Sequence, residues 1–387
     1  MSSCYLIIID GLGVGAQEDA FVYGDEGTNT LGHVVAQTRC RLPFLGRMGL
    51  GNIIPLDTVP PVLEPLAAWG KMRAVSGGKD STSGHWEIAG IQLEKPFPTY
   101  PDGFPTDVLS RFSAIAGCDS VLGNKPASGT DVIAEYGLTH QKTGQPIVYT
   151  SADSVFQVAA HVETVPLEKL YDWCRKAREQ VLTGDHAVGR VIARPFGGSS
   201  GEYYRLSDHR KDYSLKPPNP CLPVFLSEKG VETISVGKVI DLFGGVGFKR
   251  SYRTKDNASG LTKLEELIGE PASKFVFANL IETDQEFGHR NDVEGFAGAL
   301  KQIDHRLESI MKQMKEDDLM ILTGDHGNDP TTPGTDHTRE FTPVLLWPGN
   351  RASHVQLQLR NSFSDIAVSV CKFFGLENPF PGDSFLK

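Results

Sequence analysis

At 387 residues the chain is longer than one ordinary core fills, so two domains of unequal size are expected. Hydrophobic residues make up 40% and charged residues 22%, the balance of an ordinary globular protein rather than a disordered or fibrous one. A formal net charge of -10 excludes a general nucleic-acid binder and a surface held to anionic lipid by basic residues.

The first apolar run, residues 5–9, stops at Asp10. It is too short for a signal peptide or a membrane span, so the expected compartment is the cytoplasm. Gly11, Gly13 and Gly15 follow as a G-x-G-x-G turn, which misses the dinucleotide fingerprint and lacks the acid required after a second strand. NAD binding is rejected, while a glycine-rich turn suits a backbone passing close to a metal and a phosphate. Residues 76–90, SGGKDSTSGHWEIAG, set the hydroxyls of Ser81, Thr82 and Ser83 beside Lys79 and Asp80. They read either as a polar turn capping a helix that begins near His85, or as a nucleophile whose hydroxyl loses its proton more easily on a divalent ion.

Residues 97–216 behave differently from their flanks and read as an inserted domain with short strands at 146–149 and 188–193. A helix is predicted over 167–182, after Pro166, with Leu170, Tyr171, Cys174, Ala177 and Val181 on one face. From Arg190 to Lys216 the cations Arg190, Arg194, Arg205, Arg210, Lys211 and Lys216 stand against only three acids, in a chain that is acidic elsewhere. Bidentate arginine is the usual partner of phosphate oxygens, and phosphate binding is preferred here to a solvated basic face. Asp153, after a strand, either hydrogen-bonds sugar hydroxyls or caps a turn. The chain leaves this segment through KPPNP, a stiff linker.

Residues 232–242 give a further strand carrying Lys238. Residues 274–281, KFVFANLI, form a strand that runs into Asp284 and His289. Val293, Phe296, Ala297, Leu300, Ile303, Leu307, Ile310, Met311 and Met314 then recur at helical spacing, a core stripe rather than a cofactor face. The strand at 319–322 opens into LTGDHGNDPTTPGTDHTRE, residues 322–340, which carries Asp325, His326 and His337 in a loop full of glycine and proline. A last helix lies between Ser364 as N-cap and Gly375 as stop. Six cysteines without a CxxC pair fit reduced thiols better than a disulfide framework or a zinc knuckle.

Three strand ends far apart in sequence thus supply Asp10; Asp284 and His289; and Asp325, His326 and His337. Imidazole and carboxylate suit divalent transition metals, Zn²⁺ and Fe²⁺ among them, and these ligands suffice for two ions. Strands alternating with helices imply an α/β fold, a mostly parallel sheet with helices on both faces whose site lies at the carboxyl ends of the strands.

The pieces GKDSTSGHWE, GNKPASGT, YTSADS, GRVIARPF, FGHRND and TGDHGNDPTTPGTDHTRE together resemble the prokaryotic phosphopentomutases of the alkaline phosphatase superfamily. The resemblance runs from Asp10 to the C-terminus and implies an alkaline-phosphatase-like core, residues 1–96 and 217–387, with a smaller α+β cap, residues 97–216. It implies two Mn²⁺ ions, one held by Asp284, His289 and His337, the other by Asp10, Asp325 and His326. The family nucleophile is usually the threonine directly after Lys-Asp; here that position is Ser81, with Thr82 as the alternative. Implied substrates are ribose 1-phosphate and ribose 5-phosphate with their deoxyribose counterparts, and a sugar bisphosphate is the implied activator. Arg190, Arg205 and Lys238, with Arg194 beside them, would grip the distal phosphate, and Asp153 the sugar hydroxyls. A metal-dependent phosphatase, and a sugar-phosphate binder without a nucleophile, are the competing readings.

Overall fold

Residues 2–151, 153–352 and 354–387 are described by a computed structural model. The chain divides into two compact units, Met1–Pro96 with Pro217–Lys387, and Phe97–Lys216.

The sheet of the first unit grows from strands that are apolar on both faces. Cys4–Ile9 (CYLIII), Lys274–Leu280 (KFVFANL) and Leu319–Thr323 (LMILT) are buried along their whole length, as strands covered by helices on both sides must be. Cys4–Ile9 pairs in parallel with each of the other two and lies between them. The full order is Arg250–Tyr252, Glu232–Val236, Lys274–Leu280, Cys4–Ile9, Leu319–Thr323, Thr342–Trp347, Ala68–Met72, Gln356–Arg360, and only Thr342–Trp347 runs against the rest.

On one face Tyr5, Ile7 and Ile9 join a cluster with Val34, Leu264 and the helical stripe Phe296, Leu300, Ile303, Leu307 and Ile310. That stripe belongs to Val293–Gln313, and each such buried side chain contributes about 1.5–3 kcal/mol. The opposite face is covered from Ser81–Ile88: His85 stacks on Phe277 at 5.5 Å, and Phe277 is in register with Leu6. The sheet is thus mostly parallel with helices on both faces.

In the second unit the strand order is Leu122–Pro126, Ile147–Thr150, Val155–His161, Arg190–Gly197, Tyr204–Arg205, with Lys211–Ser214 also pairing to Arg190–Gly197. Phe104, Phe112, Phe156, Leu170 and Trp173 pack one cluster, and Val132, Ile133, Ile147, Tyr149 and Phe196 another.

Four local details differ from the sequence reading. The strand expected over 232–242 ends at Val236, because Gly237 turns at φ +82° and Val239–Leu242 is helical. The helix expected over 167–182 is regular only through Lys176 and closes in a wide π turn, Ala177–Val181. The strand expected at 188–193 is Arg190–Gly197. Ser364 precedes the last helix, Asp365–Phe373, but does not cap it: its hydroxyl donates to Glu87 O. Among the described residues no helix is long and apolar enough to cross a membrane, and all six cysteines are free.

Candidate metal centre

Parallel pairing sets Ile9 beside Leu280 and Ile8 beside Thr323, so these strands end on one edge of the sheet. The residues just beyond the ends converge there. Asp10, Asp325 and His326 form one group with ligand atoms within 4.8 Å of one another, and Asp284, His326 and His337 form a second. His326 Nε2 is 3.4 Å from Asp10 Oδ1 and 3.3 Å from Asp325 Oδ2, while His337 Nε2 is 3.3 Å from Asp284 Oδ1. His289, half-exposed, stands at the rim: its Nε2 is 3.5 Å from Asp284 Oδ2 and its Nδ1 meets Thr335 O at 2.6 Å. His326, rather than His289, is common to the two groups.

The donor set fits divalent cations on a direct observation. Among the described residues the three buried carboxylates of Asp10, Asp284 and Asp325 share a single lysine, whose Nζ is 2.5 Å from Asp10 Oδ2 and 3.8 Å from Asp284 Oδ2, so negative charge is left in excess. Buried carboxylates left so are costly unless a cation faces them. Without a metal, burial disfavours charge on His326, yet Asp325, Asp10 and Asp284 overcome it and hold the imidazole up at about 10. The Asp284 hydrogen bond likewise lifts His289 to about 9. Asp325 is buried, which opposes its charge, but His326 and His85 keep its carboxyl below the usual range.

The hydroxyl predicted as nucleophile faces this cluster. Ser81 Oγ lies 3.1 Å from His326 Nε2 and 3.2 Å from Lys238 Nζ, which is itself 2.5 Å from Asp10 Oδ2 and 3.8 Å from Asp284 Oδ2. Thr82 contributes only a backbone N–H, given to Asp80 Oδ1 at 3.0 Å. The helix Ser81–Ile88 starts earlier than the sequence suggests, because Asp80 caps it through Thr82 N and Ser83 N. The three hydroxyls therefore sit inside the first turn rather than capping it.

Gly84 lets this helix touch the metal loop: a Cβ there would stand 2.2 Å from the backbone oxygen of Asp325. The segment before the helix is clamped from both sides. Arg339, 4% exposed, donates to Ala74 O, Ser76 O and Gly78 O. The buried Glu87 carboxylate accepts from Val75 N, Ser76 N, Ser362 Oγ and Phe363 N.

Four of these supports were missed in the sequence. His85 Nδ1 is 2.9 Å from Ser81 O and 3.0 Å from Asp325 Oδ2, with Asn279 Nδ2 at 2.9 Å from its other nitrogen. Asn328 Nδ2 donates to Asp284 Oδ1 at 2.8 Å. Glu87 and Arg339 complete the set. The one available signal was spacing, since His85 follows Ser81 by a helical turn and must share its face.

The remaining predicted residues lie in the Phe97–Lys216 unit. Arg190 pairs loosely with Asp153 (3.4 Å) and Asp212 (3.8 Å), and Arg194 Nε donates to Gln157 Oε1 at 3.1 Å. Arg205 is exposed on the edge strand Tyr204–Arg205. Lys238, expected with these arginines on a distal phosphate, is found beside Ser81 and the metal-site carboxylates of the other unit.

The Metalloenzyme superfamily matches residues 2–378. A phosphopentomutase of Caldanaerobacter subterraneus subsp. tengcongensis is 52% identical over 99% of this chain and 96% of its own length. The chain belongs to the phosphopentomutases. A second phosphopentomutase, from Deinococcus radiodurans, is 47% identical over 98% of both chains. Membership makes the chain an isomerase of the intramolecular phosphotransferase type. The fold is shared more widely: Leishmania mexicana phosphoglycerate mutase superposes with a TM-score of 0.51 at 12% identity, covering 100% of this chain and 98% of that one. The core is thus alkaline-phosphatase-like, and the phosphopentomutase assignment rests on the sequence relatives.

Proposed function

We propose that the chain interconverts ribose 1-phosphate and ribose 5-phosphate, and their deoxyribose counterparts, through phosphorylated Ser81 and a pentose bisphosphate intermediate. The observation that carries this reading is the buried Ser81 hydroxyl, 3.1 Å from His326 Nε2 and 3.2 Å from Lys238 Nζ. The proposed cofactors are two Mn²⁺ ions, one held by Asp284, His289 and His337, the other by Asp10, Asp325 and His326. Bound there, they would neutralise the non-bridging phosphoryl oxygens and ease loss of the serine proton.

The chain's own residues do the rest. Phospho-Ser81, primed by a sugar bisphosphate, gives its phosphoryl to the free hydroxyl of the pentose phosphate. The P–Oγ bond breaks, the bond from phosphorus to the sugar oxygen forms, and loss of the sugar hydroxyl's proton is balanced by protonation of Ser81 Oγ. Lys238 Nζ donates to Ser81 Oγ as negative charge gathers on it. After the bisphosphate turns round, its other phosphoryl returns to Ser81 and the isomer is released. Arg190, Arg194 and Arg205 are the proposed partners of the distal phosphate, and Asp153 of the sugar hydroxyls. The inserted unit acts as a cap that keeps water from the phosphoserine. Nucleoside salvage and pentose catabolism in the cytoplasm form the proposed setting.

The test is mass spectrometry of the manganese-loaded protein after brief exposure to a sugar bisphosphate, mapping residues 79–87. Phosphate on Ser81, with ribose 5-phosphate formed from ribose 1-phosphate and no activity in Ser81→Ala, is expected. Phosphate on Thr82 would move the nucleophile, and free phosphate in place of ribose 5-phosphate would overturn the mutase cycle.

A further inference from the structure

Lys79 stands two positions before Ser81 and takes no part in the chemistry proposed for that serine. Its side chain is only 18% exposed, and its ammonium is committed to two acids. Nζ is 3.2 Å from Asp25 Oδ1, 3.0 Å from Asp25 Oδ2 and 3.5 Å from Asp336 Oδ2. Neither acid belongs to the groups that converge on the metal centre. Both, however, are tied to the arm of chain that carries His337. Asp336 precedes His337, and its Oδ1 accepts His337 N at 2.8 Å. Asp25 Oδ2 accepts Arg339 N, two positions beyond His337, also at 2.8 Å.

That arm needs an external hold. His337 is buried, yet residues 333–336 before it are exposed, so a buried side chain hangs from a solvated loop. The backbone is pinned from Thr338 onward, where Thr338 and Gly327 exchange N–H···O bonds of 2.8 and 3.1 Å. Asp336 and His337 lie before that bridge, and Lys79 reaches them from the segment of Ser81. An ion pair of this kind contributes little to stability, since desolvation offsets most of the attraction. Its effect is geometric. The residues on either side of Asp80 grip both halves of the centre, Ser81 through His326 and Lys79 through the His337 arm.

We propose that Lys79 is a positioning residue, which braces the His337 arm through Asp25 and Asp336 and so tightens the ion held by Asp284, His289 and His337. This rests on the reading that two Mn²⁺ ions occupy the centre. Lys79 touches neither ion nor substrate, and acts through the backbone on both sides of His337.

The test follows manganese release from the holoenzyme as a chelator is added, the free ion being counted by its electron paramagnetic resonance signal. The parent is expected to give up two ions. In Lys79→Met one of them should leave at roughly tenfold lower chelator concentration, the scale of loss seen when a ligand's outer partner is removed, and the other as in the parent. Lys79→Arg, which keeps the charge, retains both. In Lys79→Met kcat falls at limiting Mn²⁺ and recovers as Mn²⁺ is raised, while KM for ribose 5-phosphate holds. Should Lys79→Met fail to fold, Asp336→Asn makes the same comparison at an exposed carboxylate, and selective loosening of one ion is again expected. A Lys79→Met enzyme that melts earlier but keeps both ions as the parent does would reduce Lys79 to a structural pair and overturn the brace. Equal loosening of both ions would overturn it too. A parent that yields a single ion refutes the two-ion reading instead; loosening of that ion in Lys79→Met then upholds the brace, and its retention overturns it.

Discussion

Gly84→Ala adds one carbon at the point where the helix Ser81–Ile88 meets the loop that carries Asp325 and His326. That carbon would lie 2.2 Å from Asp325 O, where ordinary contact begins at 3.4 Å, so the two backbones must part by about 1.2 Å. No side chain can rotate to relieve this, because the obstacle is the carbonyl immediately before His326. Ser81 Oγ and His326 Nε2, now 3.1 Å apart, would separate beyond hydrogen-bond length. Misplacing a reacting group by about 1 Å costs on the order of 100-fold in rate, or about 2.7 kcal/mol of barrier. Helix propensity acts the other way, alanine being favoured over glycine by about 1 kcal/mol. Overpacking a filled interior costs about 1–3 kcal/mol, so the expected signature is a large fall in kcat with a smaller fall in melting temperature. Conversion of ribose 1-phosphate to ribose 5-phosphate, followed beside a circular dichroism melt, reads both. A variant within about twofold of the parent kcat would refute the account of this contact.

Three further perturbations have defined outcomes. His85→Phe removes the group lying between Ser81 O and Asp325 Oδ2, and manganese affinity is expected to fall roughly 10- to 100-fold, the usual loss when a ligand's supporting partner goes; calorimetric titration showing unchanged affinity would rule that role out. Glu87→Gln turns an amide NH₂ toward donors that need an acceptor, and urea unfolding should show a loss of about 3 kcal/mol. His140 accepts His161 N–H at Nε2, and burial holds its pKa below the ordinary 6.5. The folded protein thus resists a proton that the unfolded chain takes up. The stability His140 lends is complete above pH 6.5 and declines as pH falls from there toward its folded value. Melting curves over that range should slope less in His140→Gln than in the parent, and equal slopes would remove His140 as the source.

The fold was legible wherever an apolar run ended on an acid. Residues 5–9, 274–281 and 319–322 announce buried parallel strands because they lack the alternation of a half-exposed strand, and Asp10, Asp284 and Asp325 mark where they stop. Lys238 was read as part of a strand because VIDL continues the apolar pattern past Gly237, whose left-handed turn leaves no trace in hydropathy. The start of the helix Ser81–Ile88 was hidden in the same way: STSG has poor helix propensity, and one capping carboxylate, Asp80, overrides it. Glu87 and Arg339 could not have been found, since their partners are set by tertiary packing: Glu87 meets Ser362 across 275 positions and Arg339 meets Ser76 across 263.

The core unit is written in two pieces with the inserted unit between them, and that order has a consequence during synthesis. Cys4–Ile9 is made long before both its neighbours, Lys274–Leu280 and Leu319–Thr323, which belong to the second piece. At roughly 5–20 residues per second, an entirely apolar strand waits on the order of tens of seconds for a partner. The inserted unit, contiguous in sequence, has all its strands by then. The bond from Gly11 N to Asp325 Oδ1 closes a span of 314 residues, so it cannot form until residue 325 has been made. A nascent chain therefore holds every strand of the inserted unit before Cys4–Ile9 has either of its sheet partners.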